Sequence, residues 1–132
     1  MKYLLDTHTF LWWSLEPGKI PKKVLERLKN PRNAMYLSAA SSWEAQIKVG
    51  LGKLVLLESL EKIIRREITT NGWKALPVTL EHTWKLAELP PLHQDPFDRI
   101  LIAQALVEGL SIVSKDPVFS AYGDVRVVWY DE

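Results

Sequence analysis

"HQDPFDRILIAQALVEGLSIVSKD" (93–116) passes from loop to helix to strand within one run. Asp95 followed by Pro96 reads as a helix N-cap with proline at the first helical position, which puts Asp98 at the third. Both carboxylates then face the positive end of the helix dipole, worth roughly 0.3 to 1 kcal/mol each. "PFDRILIAQALVEG" (96–109) is the most apolar helix of the chain, and "LSIVS" (110–114) is the short apolar strand that follows it. A strand fed by a core helix is the unit from which a parallel sheet is built.

The same alternation extends outward in both directions. "KYLL" (2–5) is a short apolar strand, followed by "TFLWWSL" as a helix. "PKKVLERLKN" places Val24, Leu25 and Leu28 on one helical face before Asn30-Pro31 stops it. "AMYLS" (34–38) is a second strand, and "SSWEAQIKVG" a core-facing helix ending at Gly50. "LESLEKIIRREITTNG" sets Leu60, Ile63, Ile64 and Ile68 along one stripe, with Asn71-Gly72 as its stop. "WKALPV" (73–78) is a third strand, "LEHTWKLAEL" another helix, and "VRVVWY" (125–130) the closing strand. Little hairpin chemistry separates these strands. The expected class is therefore α/β, a doubly wound, three-layer α/β/α fold with a mainly parallel central sheet.

With 132 residues, 47% of them hydrophobic and 25% charged, the chain reads as one globular domain. It has no cysteine, so disulfides and thiolate metal sites are excluded and a reducing, cytoplasmic setting is expected. "MKYLLDTHTFLWW" meets an aspartate at its sixth residue, against both a signal peptide and a membrane span. The net charge of +1 does not point to any partner, and the basic run "KKVLERLKNPR" (22–32) and Arg65–Arg66 read as solvated helix faces.

The acids fall at telling places. Asp6 follows the first strand and Asp116 lies two residues after "LSIVS". Asp98 stands in the first turn of the helix before that strand, and Glu44 lies early in the helix after "AMYLS". In a doubly wound sheet the two strand ends and two helix starts open onto one edge, where such folds collect ligand-binding groups. Each acid also has a local reading: Asp6 caps at Thr9, Asp116 caps a turn with Pro117, and Glu44 sits on the surface beside Trp43. Two like charges at about 4 Å repel by roughly 4 kcal/mol at an effective dielectric near 20. A divalent cation relieves that conflict, and a carboxylate set without cysteine suits Mg²⁺ or Mn²⁺ over zinc. His8, beside the first acid, is open to join such a set, to pack or to face solvent. Hard ions held by acids serve phosphodiester hydrolysis, and an acidic site admits nucleic acid only with its metal in place.

These residues, in this order, resemble the PIN-domain ribonucleases, and most closely the VapC-like toxins of toxin–antitoxin pairs. "LLDTHTFLWW" looks like the opening strand with the first aspartate. "LSAASSWEAQIKVGLGKL" looks like the segment carrying the glutamate, and "HQDPFDRILIAQALVEGLSIVSKD" the run carrying the last two acids. The resemblance covers essentially the whole chain, 1–132, as a single PIN-like domain. It implies Asp6, Glu44, Asp98 and Asp116 as a catalytic quartet binding Mg²⁺ or Mn²⁺ for endoribonuclease cleavage of RNA. It further implies a homodimer and a cognate antitoxin whose tail plugs the active-site groove. Asp98 is taken as the ligand because it leads, past Arg99, into the apolar "ILIAQA" helix; Asp95 remains the cap or a supporting group. Thr7, Arg99 and Ser114 lie close enough in sequence to support the acids or to touch phosphate, a purely structural role being equally open to each.

Three other readings compete. A receiver domain places paired acids after its first strand, where "LLDTHT" supplies one, and "MYLSAA" has no acid at its strand end. A haloacid dehalogenase-type phosphatase needs an acid two residues after the first, where His8 stands. The remaining alternative is a catalytically inert PIN-like module that grips RNA or protein without cutting. "LWW" (11–13) reads as packing for the first helix or a second subunit, with base stacking by Trp12 or Trp13 as the other use. The apolar faces of "VLERLKN" and "LEKIIRREI" are open to a dimer partner or an antitoxin.

Overall fold

A computed structural model describes residues 1–129. Five strands alternate with six α-helices among these residues: β1 (Lys2–Leu5), α1 (Thr7–Leu15), α2 (Lys22–Lys29), β2 (Ala34–Ser38), α3 (Ala39–Gly50), α4 (Leu60–Asn71), β3 (Lys74–Leu76), α5 (Leu80–Lys85), α6 (Pro96–Glu108), β4 (Ser111–Val113) and β5 (Val127–Val128). The strands form one sheet in the order β3-β2-β1-β4-β5. Every pairing is parallel, with Tyr3 opposite Met35 and Ser111, Leu37 opposite Ala75, and Val113 opposite Val128. The mainly parallel sheet expected from the sequence is parallel throughout.

The apolar strands are explained by burial on both faces. Side chains alternate across a strand, so Tyr3 and Leu5 join a core with α1, α2 and α4 through Phe10, Val24, Leu28 and Ile63. Leu4 points the other way, into a core with Leu101, Ile102 and Ala105 of α6. Val113 and Ile112 divide between the two cores in the same manner. Each of these fully buried aliphatic side chains contributes about 1.5 to 3 kcal/mol.

Local chemistry sets the helix ends. Ser38, at the end of β2, accepts a hydrogen bond from Ala40 N, so α3 begins at Ala39, two residues before the expected start. Thr79 and His82 form a reciprocal capping box on α5. Asp95 Oδ1 accepts from Phe97 N at 2.8 Å and Asp98 N at 3.4 Å, with Pro96 opening α6. Gly72 and Gly109 end α4 and α6 with φ of 68° and 70°, a left-handed turn that disfavours any side chain.

The structure departs from the expectations at the edges. β3 stops at Leu76 because Pro77 has no N–H to donate to a ladder. β5 is two residues long, and Tyr130 of the expected strand lies outside the described residues. In α4, Leu60 and Ile63 are buried and Ile64 packs on the core as expected, whereas Ile68 is 41% exposed and Glu67 takes the buried position. Asn71 Nδ2 donates to Glu67 Oε1 at 2.6 Å, which satisfies the buried carboxylate. Arg65 pairs with Glu61 and Arg66 with Glu58 on the exposed side of that helix.

Candidate active site

The carboxyl ends of β1, β2 and β4 lie on one edge of the sheet because all are parallel. α1 and α3 start from that edge, and α6, which runs into β4, also begins there. The topology thus carries Asp6, Glu44, Asp98 and Asp116 to a common edge although 110 positions separate the first from the last.

Asp6 is 4% exposed and is gripped from two sides. Its Oδ1 accepts from Thr9 N at 2.8 Å, capping α1, and its Oδ2 accepts from Ser114 Oγ at 2.6 Å. Ser114 Oγ in turn accepts from Asp116 N at 3.0 Å, so a single hydroxyl links the ends of β1 and β4. Thr9 Oγ1 reinforces the joint by donating to the Val113 carbonyl at 3.0 Å. Burial raises the Asp6 pKa above its ordinary 3.8, against the lowering effect of the Ser114 and Thr9 hydrogen bonds. Asp116 itself is exposed, and its Oδ1 accepts from Val118 N at 3.0 Å in the local turn.

Glu44 is held by Thr7 Oγ1, which donates to its Oε1 at 2.7 Å. On the other oxygen, Lys48 Nζ stands 3.7 Å away, one helical turn on. Asp98 lies across from it on α6, and α3 packs directly against α6. Burial, with the charges of Asp95 and Glu44, pushes the Asp98 carboxyl from 3.8 up to about 6, against the lowering effect of His93. His93 Nε2 is 2.8 Å from Asp98 Oδ2.

Arg99 serves the loop that delivers His93. Its Nη1 donates to the Pro90 carbonyl (3.1 Å), the His93 carbonyl (3.4 Å) and Tyr122 Oη (3.1 Å), and its Nη2 to the Leu86 carbonyl (3.4 Å). Tyr122 Oη donates to the same Pro90 carbonyl at 3.0 Å. The guanidinium is spent on holding this loop to α6. Trp12 and Trp13 are partly buried and pack on Trp129 and Trp73 at ring separations of 5.9 and 5.6 Å.

Two groups therefore stand on the edge: Asp6 with Ser114 and Asp116, and Glu44 with Thr7, facing Asp98. Among the described residues, the trio of His, Asp or Glu whose donor atoms all lie within 4.8 Å of one another is His93, Asp95 and Asp98. Asp6, Glu44 and Asp116 stand outside that trio. Carboxylates at 4 Å would repel by roughly 4 kcal/mol a pair, and each has found its own hydroxyl, amide, ammonium or imidazole partner. The donor set still fits a hard divalent ion: it is almost all oxygen, and both Asp6 and Asp98 sit where a negative charge is costly.

His93 was not marked as a site residue from the sequence. It lies in a loop five positions before Asp98, so no helical or strand period connects the two. Lys48 was also passed over, although its four-residue spacing from Glu44 was a readable signal.

Acids gathered at the carboxyl edge of a five-stranded parallel sheet define a class of fold and site. The sequence profile of the PIN domain family matches residues 3–125, and the chain belongs to that family. It is 26% identical over 121 residues to Ribonuclease VapC22 of Mycobacterium tuberculosis, covering 86% of this chain and 85% of that protein. The fold is shared with VapBC2 from Rickettsia felis, solved bound to a DNA fragment from its promoter: TM-score 0.73, 18% identity, 98% of this chain and 99% of that one. It is likewise shared with VapBC-1 from nontypeable Haemophilus influenzae: TM-score 0.69, 19% identity, with both chains covered in full at 100%.

Proposed function

We propose that this protein is a Mg²⁺- or Mn²⁺-dependent endoribonuclease, the toxin of a toxin–antitoxin pair. The observation that carries the reading is the meeting of four acids, Asp6, Glu44, Asp98 and Asp116, on one edge of the parallel sheet, where burial works against charge on Asp6 and Asp98. Folding leaves those carboxylates short of positive charge, a cost that a bound cation would relieve. The curated relative is a ribonuclease of the same family, which supports RNA as the substrate.

Asp6, Asp98, Asp116 and Glu44 would hold the ion. When bound, it supplies Lewis-acid activation of water and neutralises charge on the phosphodiester. The chain does the rest. Ser114 and Thr9 fix the Asp6 carboxylate, so its oxygens need not reorganise when the charge arrives. Thr7 and Lys48 hold Glu44 at the same edge, where its carboxylate would complete the ligand set or orient the attacking water and take its proton. The partner is an antitoxin, as in the VapBC complexes of shared fold. A groove lined by Ala40, Trp43, Val78, Leu86, Phe97 and Ile100, with Trp43 64% exposed, supports an apolar protein surface beside the acids. The active form is a homodimer in the cytoplasm. No helix among the described residues is long and apolar enough to cross a membrane.

The test is cleavage of a mixed RNA pool by purified protein with Mn²⁺, with Mg²⁺ and with chelator, alongside Asp98→Ala. Metal-dependent cleavage lost in the variant is expected. Undiminished cleavage by Asp98→Ala overturns the assignment, and Mn²⁺ binding without cleavage of any RNA points instead to an inert binding module.

A further inference from the structure

We infer that His93 is a positioning residue for the cation site, holding the Asp98 carboxylate in place from outside the metal's own coordination. The inference rests on the metal-dependent reading above and goes beyond the acid quartet. Asp98 takes part in one side-chain hydrogen bond among the described residues, its Oδ2 accepting from His93 Nε2 at 2.8 Å, and its Oδ1 has no protein partner there. That division is what a metal-binding carboxylate needs: one oxygen tied down to set the plane of the group, one left for the ion. A carboxylate without such a tie samples several rotamers and must be ordered each time an ion binds.

The imidazole is itself held. Its side chain is 25% exposed, and its backbone carbonyl accepts from Arg99 Nη1 at 3.4 Å. Arg99 also grips the Pro90 and Leu86 carbonyls, and Tyr122 Oη closes on Pro90 from the far side. Arg99 follows Asp98 directly on α6. One residue of the helix therefore carries the carboxylate, and the next clamps the loop whose histidine orients it. Asp95 completes the arrangement: both of its hydrogen bonds go to the backbone of the first turn, fixing the helix start from which Asp98 projects.

The test measures Mn²⁺ and Mg²⁺ affinity by calorimetry on the full chain, with thermal melts to confirm folding, for four proteins: wild type, His93→Ala, His93→Phe and His93→Gln. His93→Phe keeps a ring without a donor, and the glutamine amide can donate to the same oxygen. The expected result is Mn²⁺ affinity lowered roughly 10- to 100-fold in the alanine and phenylalanine proteins, with His93→Gln restored to within about threefold of wild type by its N–H donor. Wild-type affinity in His93→Phe or His93→Ala would overturn the inference while leaving the nuclease reading intact. A loss in His93→Gln as deep as in His93→Ala, larger for Mn²⁺ than for Mg²⁺, would make the imidazole a ligand and overturn the positioning role. Absence of any Mn²⁺ binding by the wild type would remove both this inference and the metal-dependent function beneath it.

Discussion

Replacing Asp98 with asparagine should stabilise the metal-free protein at neutral and alkaline pH. The Asp98 side chain is 19% exposed, and burial with its acidic neighbours raises its pKa from 3.8 to about 6. A raised folded-state pKa means the fold prefers the protonated group. Asp98 therefore costs nothing below about pH 4, and its cost grows as pH rises through the interval from 4 to 6 and levels off above it. At about 1.4 kcal/mol per pH unit, a shift of about two units gives a ceiling near 3 kcal/mol. Asparagine keeps the oxygen that accepts from His93 and removes the charge. Urea unfolding of Asp98→Asn and wild type in chelator should show a gap of about 1 to 3 kcal/mol at pH 8, since solvent screens a half-buried group, with a melting temperature higher by roughly 3 to 10 °C, and no gap at pH 4. Millimolar Mn²⁺ should close the gap at pH 8 by stabilising the wild type alone. Equal stabilities at pH 8, or the same difference at both pH values, would refute the argument that Asp98 is held at an electrostatic cost.

Ser114→Ala removes both the 2.6 Å bond to Asp6 and the acceptor for Asp116 N; it should lower stability by about 1.5 to 3 kcal/mol, the usual size for a hydrogen bond to a charged group, and weaken Mn²⁺ binding in calorimetry. Arg99→Leu releases three carbonyls and the Tyr122 hydroxyl; amide exchange should quicken over 89–95 while β1 and β4 stay protected, and uniform exchange across the chain would refute the local clamp. Leu101→Ala in the second core, where Leu101 is fully buried, should cost about 2 to 5 kcal/mol in urea unfolding without altering metal affinity.

The helices and the central strands were readable because their signals are local. An aspartate before a proline, a glycine after the last apolar residue and an unbroken apolar run between turn formers each act within a few positions. The α4 stripe held through Leu60, Ile63 and Ile64 and failed at its last position, because hydrophobic period alone does not say which neighbours a face will meet: Glu67 is satisfied by Asn71 and goes inside, and Ile68 is left out. The short β3 and β5 were over-extended because an edge or proline-bounded strand ends where its partner does, and partners are a tertiary property. At the site, Asp95 was legible as a cap from spacing alone, whereas its role beside His93 was not.

By itself, the order of residues determined an α/β chain with its acids placed at strand ends and helix starts, since alternation, caps and breakers are short-range physics. Only the folded structure decided that Ser114 ties Asp6, that Thr7 ties Glu44 and that a loop histidine meets Asp98. The first two contacts span 108 and 37 positions and depend on strand order and helix packing, and the third spans five and depends on how a loop folds back on its helix; no local pattern carries a signal for any of them.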